Sequence, residues 1–396
     1  MLPGDVGARP PARARGTVRR RPGTAADRRV RPAPGPAQPA AAHAGARPGR
    51  VVARRPACTA DGRLVMGSRV ALVTGVTGCV GRAVAAALAE NGWSVRGLVR
   101  TPAPDHATYA AHLGDLTDPE SLRGSCAGVD LVVHAAADLT DWRPGPRIWQ
   151  VNRDGTRAVL DEARRCGVSR FVYLSTVDVF GFDAAKVIDE ASPRRVPRYP
   201  YPLSKAAGED VAWSYHGNGL DVTVVYPAWV FGPGDRNFLP ELVRGLRDGK
   251  LVQFDRGAPP IELTYSANLA DAIVLAGTAP GCAGGRFIVG DSYGLTLGRL
   301  FAAVAERIGA RPPTSSVPFG AALAVGALSE LAGLAGIGTG SGRPLLTRYA
   351  VRSVAGGMRY DVGRIRSIGY SPRVGFAEAL SHSLADLTKE QAHGGR

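Results

Sequence analysis

From about residue 69 onward, short apolar runs alternate with stretches whose apolar positions recur every three or four residues. Arg69–Val73 (RVALV) reads as a buried strand, Val80–Glu90 (VGRAVAAALAE) as an Ala-rich helix closing at Asn91-Gly92, and Ser94–Val99 as a second strand. A third strand is expected to end at Leu113-Gly114-Asp115-Leu116, a fourth covers Leu131–Val133 and a fifth Phe171–Leu174. Ala206 to Tyr215 has helical character. Strands alternating with helices imply the α/β class, a doubly wound parallel sheet with helices on both faces. The alternation weakens after about residue 227, where a smaller C-terminal substrate-binding lobe is expected. Three segments follow: a disordered basic tail over 1–66, a dinucleotide-binding domain over 67–226, and a lobe over 227–396 from which some chain returns to the sheet.

The first connection carries chemistry. Thr74-Gly75-Val76-Thr77-Gly78-Cys79-Val80-Gly81 is a TGxxGxxG loop between a strand and a helix, the context a Rossmann dinucleotide site requires. Gly75 permits the tight turn, Gly78 lets backbone approach a pyrophosphate, and Gly81 lets the helix pack on the strand. Thr77, Cys79 and Val80 complete a loop whose helix N-terminus faces the phosphate charge. An NAD site would end the second strand in an acid that accepts from the ribose 2′-hydroxyl, but this strand ends Val99-Arg100. Arg100, with Arg96 as a candidate helper, suits a 2′-phosphate, so NADP(H) is expected over NAD(H). Asp115 can accept from the adenine amino group. The small residues Ala135, Ala136 and Ala137 allow backbone to approach the cofactor, and His134 reads as structural.

Further along lie Ser175-Thr176 and then Tyr201-Pro202-Leu203-Ser204-Lys205. On a helix Tyr201 and Lys205 are neighbours on one face. A phenol is a poor acid–base at neutral pH until a cation favours its anion. Lys205 is expected to supply that cation and Thr176 to hold a substrate oxygen near the Tyr201 hydroxyl. Only four Lys occur in the chain, at 186, 205, 250 and 389, so the pairing is not an accident of abundance.

In this order, the glycine loop, Asp115-Leu116, HAAA (134–137), Asn152 in Val-Asn-x-x-Gly-Thr, Ser175-Thr176 and YxxxK resemble an extended short-chain dehydrogenase/reductase over roughly residues 68 to 385. Tyr226-Pro227-Ala228-Trp229-Val230-Phe231-Gly232-Pro233-Gly234 resembles the family stretch that contacts the nicotinamide. The resemblance implies Tyr201 as acid–base, and Lys205 on the nicotinamide ribose, lowering the Tyr pKa. It also implies Thr176 as hydroxyl partner, Asn152 on the proton-relay side, and Leu116, Ser175, Pro227 and Val230 around the cofactor. Tyr226 stands where the family usually has Arg, and Phe180 where it usually has Tyr. The C-terminal half resembles the 3β-hydroxysteroid dehydrogenase-like subgroup through Thr264-Tyr265-Ser266-Ala267-Asn268 and Ile368-Gly369-Tyr370-Ser371-Pro372. Dimerisation through two helices per subunit is typical of the family, so a homodimer is a candidate.

Composition adds two points. Residues 1–65 hold 14 Arg, three acids, 10 of the 30 prolines and no aromatic residue, and so carry +11 of the formal +15. Such a segment cannot offset the entropy of ordering. It is expected to be translated upstream sequence ahead of a start at Met66, with an anion-binding arm and a targeting peptide as alternatives; no nucleic-acid partner is expected. The five cysteines are far apart with no CxxC pair, so no metal is expected and a reducing, cytoplasmic location fits. No apolar stretch reaches the ~18 residues of a membrane span. Residues 317–340, rich in Ala, Leu and Gly with Glu330 as the only charge, read as an apolar lid over a substrate, a segment resting on a membrane, or a packed helical hairpin. Loops 138–148 and 182–200 are candidates to flank the pocket.

The function expected is an NADP(H)-dependent oxidoreductase interconverting a ketone and a secondary alcohol on an apolar, bulky small molecule. A nucleotide-sugar epimerase or dehydratase is the alternative, with a non-catalytic dinucleotide-binding regulator behind it. Sugar dehydratases of the family carry paired acids after the catalytic Thr, whereas Val177 fills the first place here and only Asp178 the second.

Overall fold

In the computed structural model the five expected strands join two later ones in a single sheet whose pairings are all parallel. Residues 57–58, 64–65 and 69–394 are described, apart from 103–106, 144, 218, 336–343 and 345. The expected disorder of 1–66 lies outside the described residues, save for a short antiparallel pair, Ala57–Cys58 with Leu64–Val65.

The sheet strands are β1 (Val70–Thr74), β2 (Ser94–Val99), β3 (Ala110–Leu113), β4 (Leu131–His134), β5 (Arg170–Leu174), β6 (Asp221–Pro227) and β7 (Arg286–Val289). Their spatial order is β7-β6-β5-β4-β1-β2-β3, so the chain starts in the middle, winds to one edge, and returns to build the other. Ala71, Leu72 and Val73 of β1 and Leu131, Val132 and Val133 of β4 are fully buried, as strands covered on both faces must be. Helices α1 (Cys79–Glu90), α2 (Thr156–Arg165), α3 (Pro200–Tyr215) and α5 (Ser266–Thr278) provide the cover. Pro200 in the first turn of α3 occupies a place where its missing N–H costs nothing, so the helix begins before Tyr201 rather than after it.

A second hydrophobic cluster gathers Phe231, Leu242, Leu263, Leu300, Val304 and Val351 among others, outside the sheet. It is built by α4 (Phe238–Arg247), α6 (Leu297–Ile308), α7 (Phe319–Leu334), α8 (Arg348–Ala355) and α9 (Phe376–Gly394). Within 317–340 the described part is one helix, α7, preceded by Val317 in a short strand paired with Gln253–Phe254. Among the described residues no helix is long and apolar enough to cross a membrane.

Two close approaches fix the geometry that the site uses. A Cβ on Gly81 would lie 2.1 Å from the Gly75 carbonyl oxygen, so only glycine lets α1 close on its loop. A Cβ on Gly208 would lie 2.2 Å from the Asn152 carbonyl oxygen and 2.4 Å from the Tyr173 hydroxyl, so α3 sits directly on the chain before α2 and on β5. Gly208→Ala should therefore cost about 1–3 kcal/mol of stability, measured as a lowered denaturant midpoint. An unchanged midpoint would show that α3 is free to lift.

Candidate active site

Because every strand is parallel, the C-terminal ends Thr74, Val99, His134 and Leu174 form one crest, and the loops after them converge there. At its centre Gly75 adopts φ +69°, and a Cβ there would lie 2.9 Å from Ala136. The Gly78 N–H donates to the Gly75 carbonyl at 2.9 Å. Helix α1 has no side-chain cap and no acid in its first turn, which leaves its first N–H groups available to an anion. Around Gly78 a Cβ would meet only the Gly75 oxygen, at 3.4 Å, and Thr77 is exposed. Cys79 and Val80 are half-buried, and burial pushes the Cys79 thiol up to about 12. This cradle fits a dinucleotide pyrophosphate.

On the ribose and adenine side, Arg100 is exposed just past β2. Arg96 does not join it: its guanidinium donates to the carbonyls of Ser125 at 2.7 Å and Ala127 at 3.0 Å. The Asp115 carboxylate accepts from the Thr117 N–H and hydroxyl, both at 2.8 Å, and these bonds, with smaller contributions from Arg147 and Arg100, hold it below its ordinary range. Leu116 is buried. Ala135, Ala136 and Ala137 are half-buried, and the Ala136 N–H donates to the Thr74 hydroxyl at 3.2 Å. That hydroxyl lies 2.8 Å from His134 Nδ1, while His134 Nε2 lies 3.0 Å from the Thr156 hydroxyl, which donates to the Asn152 carbonyl at 2.8 Å. Burial pushes His134 down to about 3, so this chain of bonds holds a neutral ring with its proton assigned to Nε2. His134 is structural.

Thr176, Tyr201 and Lys205 are brought together. Tyr201 is half-buried on the first turn of α3, its hydroxyl facing that of Thr176, and Lys205 lies one turn on, buried. The Lys205 ammonium sits 4.4 Å from the centre of the Tyr173 ring. Burial lowers Lys205 to about 7, with Glu209 working against the fall. Burial also raises Tyr201 above an ordinary phenol; Asp178 adds to the rise and the Thr176 hydroxyl opposes it. The sequence-based expectation was a Tyr lowered by Lys205. The direction differs because the cost of burying the charged form dominates at both groups and the carboxylate beside the phenol carries the opposite sign.

Asn152 is not aimed at the phenol. Its amide accepts from the Asp138 N–H at 2.7 Å and donates to the Asp138 carbonyl at 2.8 Å and the Ser204 hydroxyl at 2.9 Å. Ser204 in turn donates to the Tyr201 carbonyl at 2.9 Å, so Asn152 positions the first turn of α3. Ser175 donates to Glu209 at 2.9 Å, and Tyr226 donates to the same carboxylate at 2.7 Å. Arg194 lies 3.2 Å from Glu209 and thus brings a guanidinium to the neighbourhood where Tyr226 replaces the usual Arg. Pro227, buried, ends β6, and Val230 is half-buried in a short strand, Trp229–Phe231, paired with Leu263–Tyr265.

Two groups enter the site that the sequence did not single out for it. Asp178 is buried, accepts from the Tyr349 hydroxyl at 2.6 Å, and is pushed up to about 6 by burial, partly offset by that bond. Tyr349, at the start of α8, packs against Tyr199 and Phe182 with ring centres 5.2 and 6.2 Å away. Loop 182–200 therefore supplies an aromatic wall beside Tyr201. Asp178 stood in plain view two residues after Thr176, whereas nothing local could assign Tyr349.

Residues 71–290 match the model of the NAD dependent epimerase/dehydratase family. The chain is 30% identical over 321 residues to a 2-alkyl-3-oxoalkanoate reductase of Stenotrophomonas maltophilia, covering 78% of this chain and 96% of that one. It is 30% identical over 294 residues to a decarboxylating sterol-4-alpha-carboxylate 3-dehydrogenase of Saccharomyces cerevisiae, covering 69% and 82%. Among solved structures, DesIV, a dTDP-glucose 4,6-dehydratase from Streptomyces venezuelae with NAD bound, is 26% identical with a TM-score of 0.63, covering 82% of this chain and 98% of that one.

Removing the Asp178 charge favours the phenolate of Tyr201. Asp178→Asn should move the rising limb of the pH–rate profile for alcohol oxidation, where Tyr201 loses its proton, to lower pH. A limb that stays in place would separate Asp178 from the proton-transfer group.

Proposed function

We propose the function of this chain from one premise: it belongs to the NAD dependent epimerase/dehydratase family. It is an oxidoreductase of the extended short-chain dehydrogenase/reductase kind, acting between alcohol and carbonyl. Beyond that, we read it as an NADP(H)-dependent ketoreductase for an apolar, bulky small molecule. The reading is carried by the Thr176–Tyr201 hydroxyl pair beside buried Lys205, walled by Tyr199, Phe182 and Tyr349.

Gly75, Thr77, Gly78, Cys79, Val80 and Gly81 would hold the pyrophosphate, Arg100 the 2′-phosphate, and Asp115 with Leu116 the adenine end. Ala135 to Ala137, Ser175, Pro227 and Val230 would border the nicotinamide. The bound nicotinamide supplies or accepts the hydride. Thr176 donates to the substrate oxygen and fixes it near the Tyr201 hydroxyl. In reduction Tyr201 gives its proton to that oxygen, and its raised pKa keeps the proton in place until then. Lys205, near 7, stabilises the phenolate left behind and can itself yield a proton at neutral pH.

An aromatic wall whose Tyr349 hydroxyl is already engaged by Asp178 favours an apolar ketone over a sugar nucleotide, which needs convergent polar groups. Val177 in place of the first acid after Thr176 points away from sugar dehydration. The named relatives that reduce or oxidise alkyl and sterol substrates lend the same support.

With an apolar ketone panel, NADPH absorbance should fall on turnover; conversion of sugar nucleotides without net cofactor change would favour the epimerase reading. Tyr201→Phe should lower turnover about 10²–10⁴-fold and leave NADPH affinity nearly unchanged. Arg100→Ala should weaken NADPH and spare NADH, whereas equal loss for both would remove the 2′-phosphate role.

A further inference from the structure

Among the described residues two buried side-chain nitrogens lack a hydrogen-bond acceptor, Arg194 Nη1 and Trp142 Nε1. The first lies 3.2 Å from the Glu209 carboxylate, whose charge answers its own. The indole of Trp142 has no such neighbour among the described residues. An indole nitrogen is a donor only, and a native fold rarely buries one unmet without a use for it.

Trp142 sits where the crest and the lobe face each other. The chain reaches it straight from Ala135–Ala137, and the loop it lies on is held firmly at its root. The Asn152 amide accepts from the Asp138 N–H at 2.7 Å and donates to the Asp138 carbonyl at 2.8 Å. The Asp138 carboxylate then accepts from the Thr140 N–H at 2.9 Å and from the Thr140 hydroxyl at 2.6 Å. From the other side the lobe closes on the ring. A Cβ on Gly333 of α7 would lie 3.2 Å from the Trp142 side chain, so the helix packs there closely because it has none. The same loop borders the aromatic wall: burial raises the Tyr349 hydroxyl, and Asp141 is among the groups that add to the rise.

A second observation concerns the backbone. Arg143, next after Trp142, adopts φ +43°, in the left-handed region that side chains rarely enter. The turn that presents the indole is therefore strained, and such strain gathers where a fold is built around a ligand. An unmet donor and a strained turn thus adjoin in the one loop that runs from the alanines of the crest to α7.

We propose that Trp142 is a specificity-determining residue whose indole N–H donates to an oxygen of the substrate other than the reacting carbonyl. The inference rests on the ketoreductase reading and narrows its substrate class to an apolar ketone carrying a second acceptor oxygen. A donor of this kind discriminates more sharply than apolar contact, because an analogue without the oxygen leaves the buried N–H unmet.

The test has one arm without turnover and one with it. The chain holds five Trp, so isotope labelling of the indoles gives five N–H signals, and Trp142→Phe identifies one of them. Should that variant fail to fold, Gly333→Ala identifies the same signal by crowding the ring. With oxidised NADP bound no hydride can be delivered, and 2-undecanone, undecane-2,6-dione and undecane-2,8-dione are added in turn. The Trp142 signal should move downfield with at least one dione and stay in place with 2-undecanone. In the kinetic arm that dione should show a KM about fivefold or more below that of 2-undecanone. Trp142→Phe should erase the difference by raising the KM for the dione, with kcat and the KM for 2-undecanone unchanged. A signal silent to both diones, or one that moves with the cofactor alone or equally with 2-undecanone, would overturn the proposal. So would a variant that raises the KM of every ketone alike, which is a packing defect. Turnover of ketones with a silent indole removes this inference alone, whereas a shifted indole with no NADPH consumed removes the ketoreductase reading instead.

Discussion

The crest of the sheet depends on holding a cation where water does not reach. Lys205 is buried, and burial alone would strip its charge. Glu209, one turn further along α3 and fully buried, works against that loss, and the face of Tyr173 lies under the ammonium. The Glu209 carboxylate is anchored from three sides by Ser175 after β5, Tyr226 on β6 and Trp213 on α3. A buried carboxylate with this many donors is held in one place. The ammonium, the phenol and the threonine therefore share one rigid frame, and the chemistry follows from how that frame divides protons among them.

The frame is a consequence of close packing. Gly208 lets α3 lie against Asn152 and Tyr173, and the Asn152 amide then clasps both the Asp138 backbone and Ser204. These contacts set the height of Tyr201 above the strand ends. The helical layer outside the sheet closes the site from the far side through Tyr349 on Asp178. That single bond joins residues 171 positions apart, and it ties the chemistry of the crest to the lobe that would carry the substrate.

Periodicity located four of the five strands of the first half to within a residue or two at their ends, because strands buried on both faces leave continuous apolar runs, whereas the third, an exposed edge strand, was marked only by where it ends. The glycine loop was equally legible, since its spacing states a steric requirement that the structure shows at Gly75 and Gly81. Tyr201, Lys205 and Thr176 were readable from spacing and the scarcity of lysine. What escaped was non-local. Tyr349 reaches the site only through folding of the lobe, the sign of the shift at Tyr201 depended on a carboxylate whose burial no pattern encodes, and Arg96 looked like a partner for Arg100 until its carbonyl contacts placed it elsewhere. The outward leucines of α7 were visible as composition, yet their orientation is set by Gly326 and Gly333 meeting α8 and Trp142.

The scarcity of lysine also makes the central claim directly measurable. With only Lys186, Lys205, Lys250 and Lys389 in the chain, selective isotope labelling of the lysine side chains gives four signals, and Lys205→Met identifies one of them. A pH titration followed by NMR should show that signal turning over near 7, about where burial opposed by Glu209 places it. A Lys205 signal that turns over instead near the ordinary ~10.4 of a solvated lysine would mean that Lys205 is solvated, and the desolvated cation beside Tyr201 would be lost with it.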